Sequence, residues 1–140
     1  MSSSVTHTLV IDLDNNLLVF GDNYQGQLGL NNIEATSKPI LVPELKVQQV
    51  STGHNCSAVI DLNNNIWVFG INRHGQLGIG HSMTIRIPMK IPDIKAQQIS
   101  LTNTHLGVID LENNVWMCGS NYNRQLGLGS DLRAMILMKD

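Results

Sequence analysis

One string limits what this chain can fold into. Phe20-Gly21-x-Asn23-x-x-Gly26-Gln27-Leu28-Gly29 returns as Phe69-Gly70-x-Asn72-x-x-Gly75-Gln76-Leu77-Gly78, and again, altered, as Cys118-Gly119-x-Asn121-x-x-Arg124-Gln125-Leu126-Gly127. The step is 49 residues both times, with no gap, and Asp12, Asp61 and Asp110 keep the same step. A fixed period of this size marks a repeat architecture. It also restricts what chemistry can be read. A residue found at one position in every unit builds the unit before it does chemistry.

Each unit opens with a short run ending in Asp: His7 to Asp12, Cys56 to Asp61, His105 to Asp110. Leu-x-Asn-Asn follows, and Asn tolerates positive φ, so the Asn-Asn pair predicts a tight hairpin turn. The return strands are Leu17 to Phe20, Ile66 to Phe69 and Val115 to Cys118. They are apolar at successive positions, which predicts burial on both faces. Pro39 and Pro43, matched by Pro88 and Pro92, mark an outer edge strand, because proline brings no ladder donor. Val47 to Ser51 and Ala96 to Ser100 read as a further strand. No segment carries a helical period. Four strands per repeat, with regular turns, predict an all-β fold of blades stacked face to face.

The run Gly53-x-x-Cys56-Ser57-Ala58-Val59 through Trp67-Val68-Phe69-Gly70-x-Asn72-x-x-Gly75-Gln76-Leu77-Gly78-x-Gly80 resembles the regulator-of-chromosome-condensation repeat. His7 and His105 match the histidine of the family pattern, and Cys56 replaces it in the middle unit. Phe20, Phe69 and Cys118 stand where the family usually has tryptophan. The resemblance runs from about Thr6 to Gly129 and implies a β-propeller. The expected fold is a partial propeller of about three four-stranded blades, in one repeat domain over 1–140. Its units run over about 5–53, 54–102 and 103–140. The first blade is expected to lack its inner strand, since residues 1–5 are too few to supply it. The third ends at Met135-Ile136-Leu137-Met138. Three blades fall short of the roughly 4–8 of a closed propeller. An open arc leaves Leu17 to Phe20 and Val115 to Cys118 on faces written for burial, without polar caps. The expectation is therefore an open arc or one closed by oligomerisation. In a homodimer, two chains would give six blades related by a twofold axis. The competing expectation is a non-functional, truncated copy of a longer gene.

The 140 residues carry a net charge of −2, with nine basic residues scattered and no basic tail. That balance predicts no nucleic-acid or membrane partner. No secretory signal or spanning run is read at Met1-Ser2-Ser3-Ser4, so an intracellular, cytoplasmic setting is the default expectation. Asp12, Asp61 and Asp110 are read as strand-end residues bonding the turn, not as acids or metal ligands. His7 and His105 are read as structural histidines on different blades. His54, His74 and His81 share no zinc spacing. Cys56 and Cys118 are read as small buried hydrophobes. Trp67 and Trp116 are read as core. The glycines of Gly21 to Gly29 lack the lysine-serine ending and the helix of a phosphate loop. No catalytic set, metal or cofactor is assigned, and an enzyme is not expected.

The loop before Gln-Leu-Gly varies between units, reading Asp22-Asn23-Tyr24-Gln25, Ile71-Asn72-Arg73-His74 and Ser120-Asn121-Tyr122-Asn123. In a propeller these positions share one rim, where residues change without cost to the core. Tyr24, Gln25, Arg73, His74, Tyr122 and Asn123 are the candidate protein-binding residues. The expected function is a non-enzymatic interaction scaffold with a protein partner. The alternative implied by the resemblance is guanine-nucleotide exchange on a small nuclear GTPase. Too few blades, no basic tail and a slightly acidic charge count against it.

Overall fold

The computed structural model describes residues 1–129 and 133–139. Among these residues it has ten strands and no helix: β1 (Ser2–Ser3), β2 (His7–Ile11), β3 (Asn16–Asp22), β4 (Ala35–Thr52), β5 (Cys56–Asp61), β6 (Asn65–Gly70), β7 (Ile85–Leu101), β8 (His105–Asp110), β9 (Val115–Ser120) and β10 (Arg133–Lys139). Each strand pairs antiparallel with the next in chain order, so the propeller arc is open. No helix among the described residues is long and apolar enough to cross a membrane.

The hairpins are built as the Asp and Asn pattern demands. Asn15, Asn64 and Asn113 hold φ of 61°, 63° and 68°. The amide of Asn15 donates to the Asp12 carbonyl at 3.1 Å, and the Asp12 amide to the Asn16 carbonyl at 3.1 Å. This is a three-residue loop ending in a left-handed residue, a common hairpin connection. Only the first Asn of each pair turns the chain. The second starts the return strand, or in the third unit immediately precedes it, and donates its side-chain amide to the Asp carboxylate.

β4 and β7 depart from the expectation of separate outer and inner strands. Each is one long strand serving two blades. Asn16 to Asp22 pairs with residues 35–46 of β4, while Val47 to Thr52 pairs with β5. The same division separates Ile85 to Lys95 from Ala96 to Leu101. The corner is Pro43-Glu44 and Pro92-Asp93, where Glu44 and Asp93 hold φ of 59° and 60°. Proline followed by a residue at positive φ is the combination a type II turn uses. All four prolines lie in or beside the outer half, which pairs with no second strand among the described residues, as an edge position requires.

Three blades result. The second takes its inner strand from the end of β4, and the third from the end of β7. The first keeps only a stump of that strand. Ser2 pairs Leu9 and Ser3 pairs Thr8, in the register that Ser51 and Thr52 hold against Ala58 and Ser57 one repeat later. β10 completes the third blade along β9.

The core lies between blades. In the middle blade β5 is buried along its whole length, and Ile66, Val68 and Phe69 of β6 are fully buried. Ser57 and Phe69 face the first blade, Cys56 the third, so both faces are covered as the apolar run predicts. The flanking blades behave differently. Leu17 and Val19 are buried, but Leu18 and Phe20 are half-buried; Cys118 is buried, but Val115 is exposed and Met117 half-buried. The sequence run is the same, but each flanking blade has a neighbour on one side only. Gly70 shows how close the hairpin packs. Its φ is +105°, and a Cβ there would stand 2.5 Å from the Asn55 carbonyl oxygen. No larger residue fits.

Candidate protein-binding rim

The repeated string folds its own loop. Asn23 Oδ1 accepts the Leu28 amide at 2.8 Å, and Asn72 and Asn121 take the Leu77 and Leu126 amides at 2.9 Å each. The other end of the Asn72 amide donates to the His81 carbonyl at 2.7 Å. Gln27, Gln76 and Gln125 each accept, through Oε1, the backbone amide two residues earlier, at 2.9 Å in every copy. Asn23, Asn72, Asn121, Gln27 and Gln76 are all buried. The invariant letters of the loop are thus spent internally. Arg124 takes the place of Gly26 and Gly75 and holds the same left-handed geometry, at φ of 60°.

The variable letters project. Tyr24 and Tyr122 are 62% and 65% exposed, Arg73 and Asn123 are exposed, and Gln25 and His74 are half-buried. Because each sits at the same point of an equivalent loop, the topology puts all six on one rim of the arc. Tyr24 is also tied across blades, its carbonyl accepting from Arg86 Nη2 at 2.9 Å. Beside it a cleft of about 310 Å³ is lined by Asn31, Glu34 and Arg86 among others, an opposed pair of charges that the sequence reading missed. Arg86 stands in the edge strand, far along the chain from Tyr24, and only the closure of neighbouring blades brings the two together.

The remaining candidates are structural. Asp61 Oδ1 accepts the amides of Asn63 and Asn65, and Oδ2 accepts Asn65 Nδ2 and Trp67 Nε1, the last at 2.8 Å. Asp110 repeats this with Asn114 and Trp116. Desolvation pushes both carboxyls up, but the bonds from tryptophan and asparagine outweigh it and leave both below the usual range, Asp110 at about 2. Asp12 is lowered too, chiefly by the Asn16 side chain. Trp67 and Trp116, held by those bonds, wall two equivalent inter-blade clefts of about 330 and 240 Å³.

His7 is buried and locked at both nitrogens. Nδ1 lies 2.9 Å from Ser4 Oγ, and Nε2 lies 2.7 Å from Ser57 Oγ in the next blade. Ser57 Oγ donates onward to the Gln27 carbonyl at 2.7 Å. That direction fixes the neutral imidazole with its proton on Nε2. Desolvation lowers His7 to about 4, and the His105 imidazole is lowered by the same cause. Burial pushes the thiols of Cys56 and Cys118 up to about 12, which makes them inert fillers. No group of three or more His, Cys, Asp or Glu among the described residues could hold a metal ion.

The family model for the regulator of chromosome condensation (RCC1) repeat matches residues 14–60 and 63–109, more than half of the chain. Among curated protein sequences none matches this one. Among solved structures the chain is similar to human WBSCR16, at 20% identity and a TM-score of 0.85, over 98% of this chain and 36% of that one. It is also similar to yeast RCC1 (Prp20) bound to Kap60, at 16% identity and a TM-score of 0.87, over 98% of this chain and 35% of that one. Prp20p from Saccharomyces cerevisiae, reported with its binding properties to Gsp1p and histones, gives 17% identity and 0.87, over 98% and 36%. The chain therefore spans about a third of the length of these structures, and at such identities the likeness is one of fold.

Proposed function

Since this chain belongs to the regulator of chromosome condensation repeat family, we propose that it is a non-enzymatic interaction scaffold that presents its loop rim to a protein partner. The observation that carries this is the division of labour inside each loop. The repeated Asn, Gln and Leu satisfy the loop's own backbone, while Tyr24, Arg73 and Tyr122 stand exposed at equivalent points, tyrosine in the outer blades and arginine in the middle one. Aromatic and arginine side chains on a pre-formed framework cost little entropy to fix and dominate interface energetics. Gln25, His74 and Asn123 supply polar neighbours. The solved propellers of similar fold are described with Kap60, Gsp1p and histones as partners, which supports a protein as the ligand class.

Photo-crosslinking tests the reading. A benzophenone amino acid at Tyr24 or Tyr122 is expected to trap a discrete protein adduct from cells, and one at Leu62, exposed in a hairpin turn, is not. Triple replacement of Tyr24, Arg73 and Tyr122 by alanine is expected to abolish capture without changing the unfolding midpoint. Equal adducts from the hairpin position would remove the rim from consideration. Release of labelled nucleotide from a small GTPase, measured alongside, is expected to stay at the background rate.

A further inference from the structure

The two inter-blade seams inside the chain follow a pairing rule, and the outer faces of the arc satisfy it toward each other. At the first seam His7 Nε2 meets Ser57 Oγ, polar against polar. At the second seam the corresponding residues are Cys56 and Leu106, both fully buried and both apolar. One repeat further on, the third blade offers His105 at this position. One repeat back, the first blade offers Thr8 at the position of Ser57. The unmatched pair is again polar on both sides.

Geometry agrees with the chemistry. His105 Nδ1 lies 2.9 Å from Thr102 Oγ1, as His7 Nδ1 lies 2.9 Å from Ser4 Oγ. Thr104 Oγ1 lies 3.3 Å from the same nitrogen, so a hydroxyl is at hand to donate to Nδ1; the tautomer held by His7 then puts the proton on Nε2, for which there is no partner among the described residues. Thr8 is half-buried on the opposite flank of the chain. The glycines mark the same gap. A Cβ on Gly29 would meet Phe69 and Pro88 of the next blade, and one on Gly78 would meet Cys118 and Leu137, but one on Gly127 meets nothing within 4 Å. Phe20 and Pro39, one repeat before Phe69 and Pro88, lie on the first blade's outward flank; Phe20 is half-buried and Pro39 exposed.

We propose that the outward face of the third blade receives the first blade of a second copy of this chain, with His105 Nε2 donating to Thr8 Oγ of the partner subunit and that hydroxyl donating to the Gln125 carbonyl. The occupant is a second copy because the contact continues an interface the chain already makes twice. Phe20 of the partner subunit fills the space over Gly127, as Phe69 covers Gly29. A head-to-tail contact of this kind repeats at the other flank and closes when its rotation allows. This assignment rests on the repeat register and is independent of the rim's role in binding another protein.

The test is light scattering on a size-exclusion column under reducing conditions, over a range of concentrations. The unaltered chain is expected to elute at a multiple of 15.4 kDa. Thr8→Ser, which copies the first seam, should keep the assembly. Thr8→Leu alone should raise the concentration at half-assembly by about tenfold or more, since a buried imidazole donor is left unpaired. Thr8→Leu combined with His105→Cys, which copies the second seam, should recover most of it. Circular dichroism of each variant separates loss of assembly from loss of folding, and both altered side chains are only half-buried. A monomer at all concentrations overturns the proposal. So does an assembly indifferent to Thr8→Leu, which would mean another surface or another occupant.

Discussion

A single imidazole couples this fold to pH. His7 has its ordinary value of 6.5 in the unfolded chain and about 4 when folded. On acidification the unfolded state therefore takes up the proton first. The stability contributed by neutral His7 is complete above about pH 6.5 and is lost as the pH falls to about 4. Integrated over that interval the loss is about 3 kcal/mol. His105 shifts in the same direction and steepens the same window. Urea unfolding between pH 7.5 and 4 should show this slope, and His7→Gln should flatten it while lowering stability at neutral pH. The carboxylates act lower on the scale. Asp61 and Asp110 have lowered values, so their support is present above the ordinary carboxyl range and disappears below it. Asp61→Ala removes four accepted bonds, one from a tryptophan indole. It should cost about 2–3 kcal/mol by denaturant titration. Asp12→Ala should cost less, because Leu18 stands where Trp67 and Trp116 stand in the later blades.

At the scale of the element, the corner inside β4 and β7 carries backbone strain. Glu44 and Asp93 are held near φ +60° at exposed positions. Glycine enters that region without penalty, at some cost in unfolded-chain entropy. Glu44→Gly is therefore expected to stabilise the chain by about 0.5 kcal/mol, read as a raised melting temperature, where glycine two residues further on would destabilise it. These corners also show where the sequence was legible. The hairpins could be read because Asp and Asn-Asn carry their conformation locally, and the edge assignment because proline lacks a donor. The continuity of the outer and inner strands could not be read, since Pro43 and Pro92 look like breaks until their neighbours take positive φ. Nor could the pairing of Ser2–Ser3, where no inner strand was expected, since it depends on a register two serines do not announce. The framework of the rim was visible as repetition, and its variable residues as departures from it. The nearness of Arg86 to Tyr24 was not, because two blades must meet before the pair exists.

For the whole molecule, burial is greatest in the middle. β5 is enclosed along its length, while Leu18, Phe20, Val115 and Met117 in the flanking blades keep solvent on one side. Native-state hydrogen exchange should follow that gradient, with amides of β5 and β6 slowest and those of β2, β3 and β9 faster by a factor of about ten or more. If the proposed contact forms, the protection of β9 and β2 should rise together with concentration. The sharing of β4 and β7 between blades bears on how such a chain changes length. A 49-residue stretch copied from almost any starting point yields a piece that begins in one blade and finishes in the next, and only one cut at the corner, such as 47–95, is a whole blade. Even there the seam of the duplication falls inside a continuous strand, never in a loop between two strands. A new copy arrives already laced to its predecessor by a continuous strand, bringing both an acceptor surface and the surface that fits it, so the propeller can lengthen without either neighbour being redesigned.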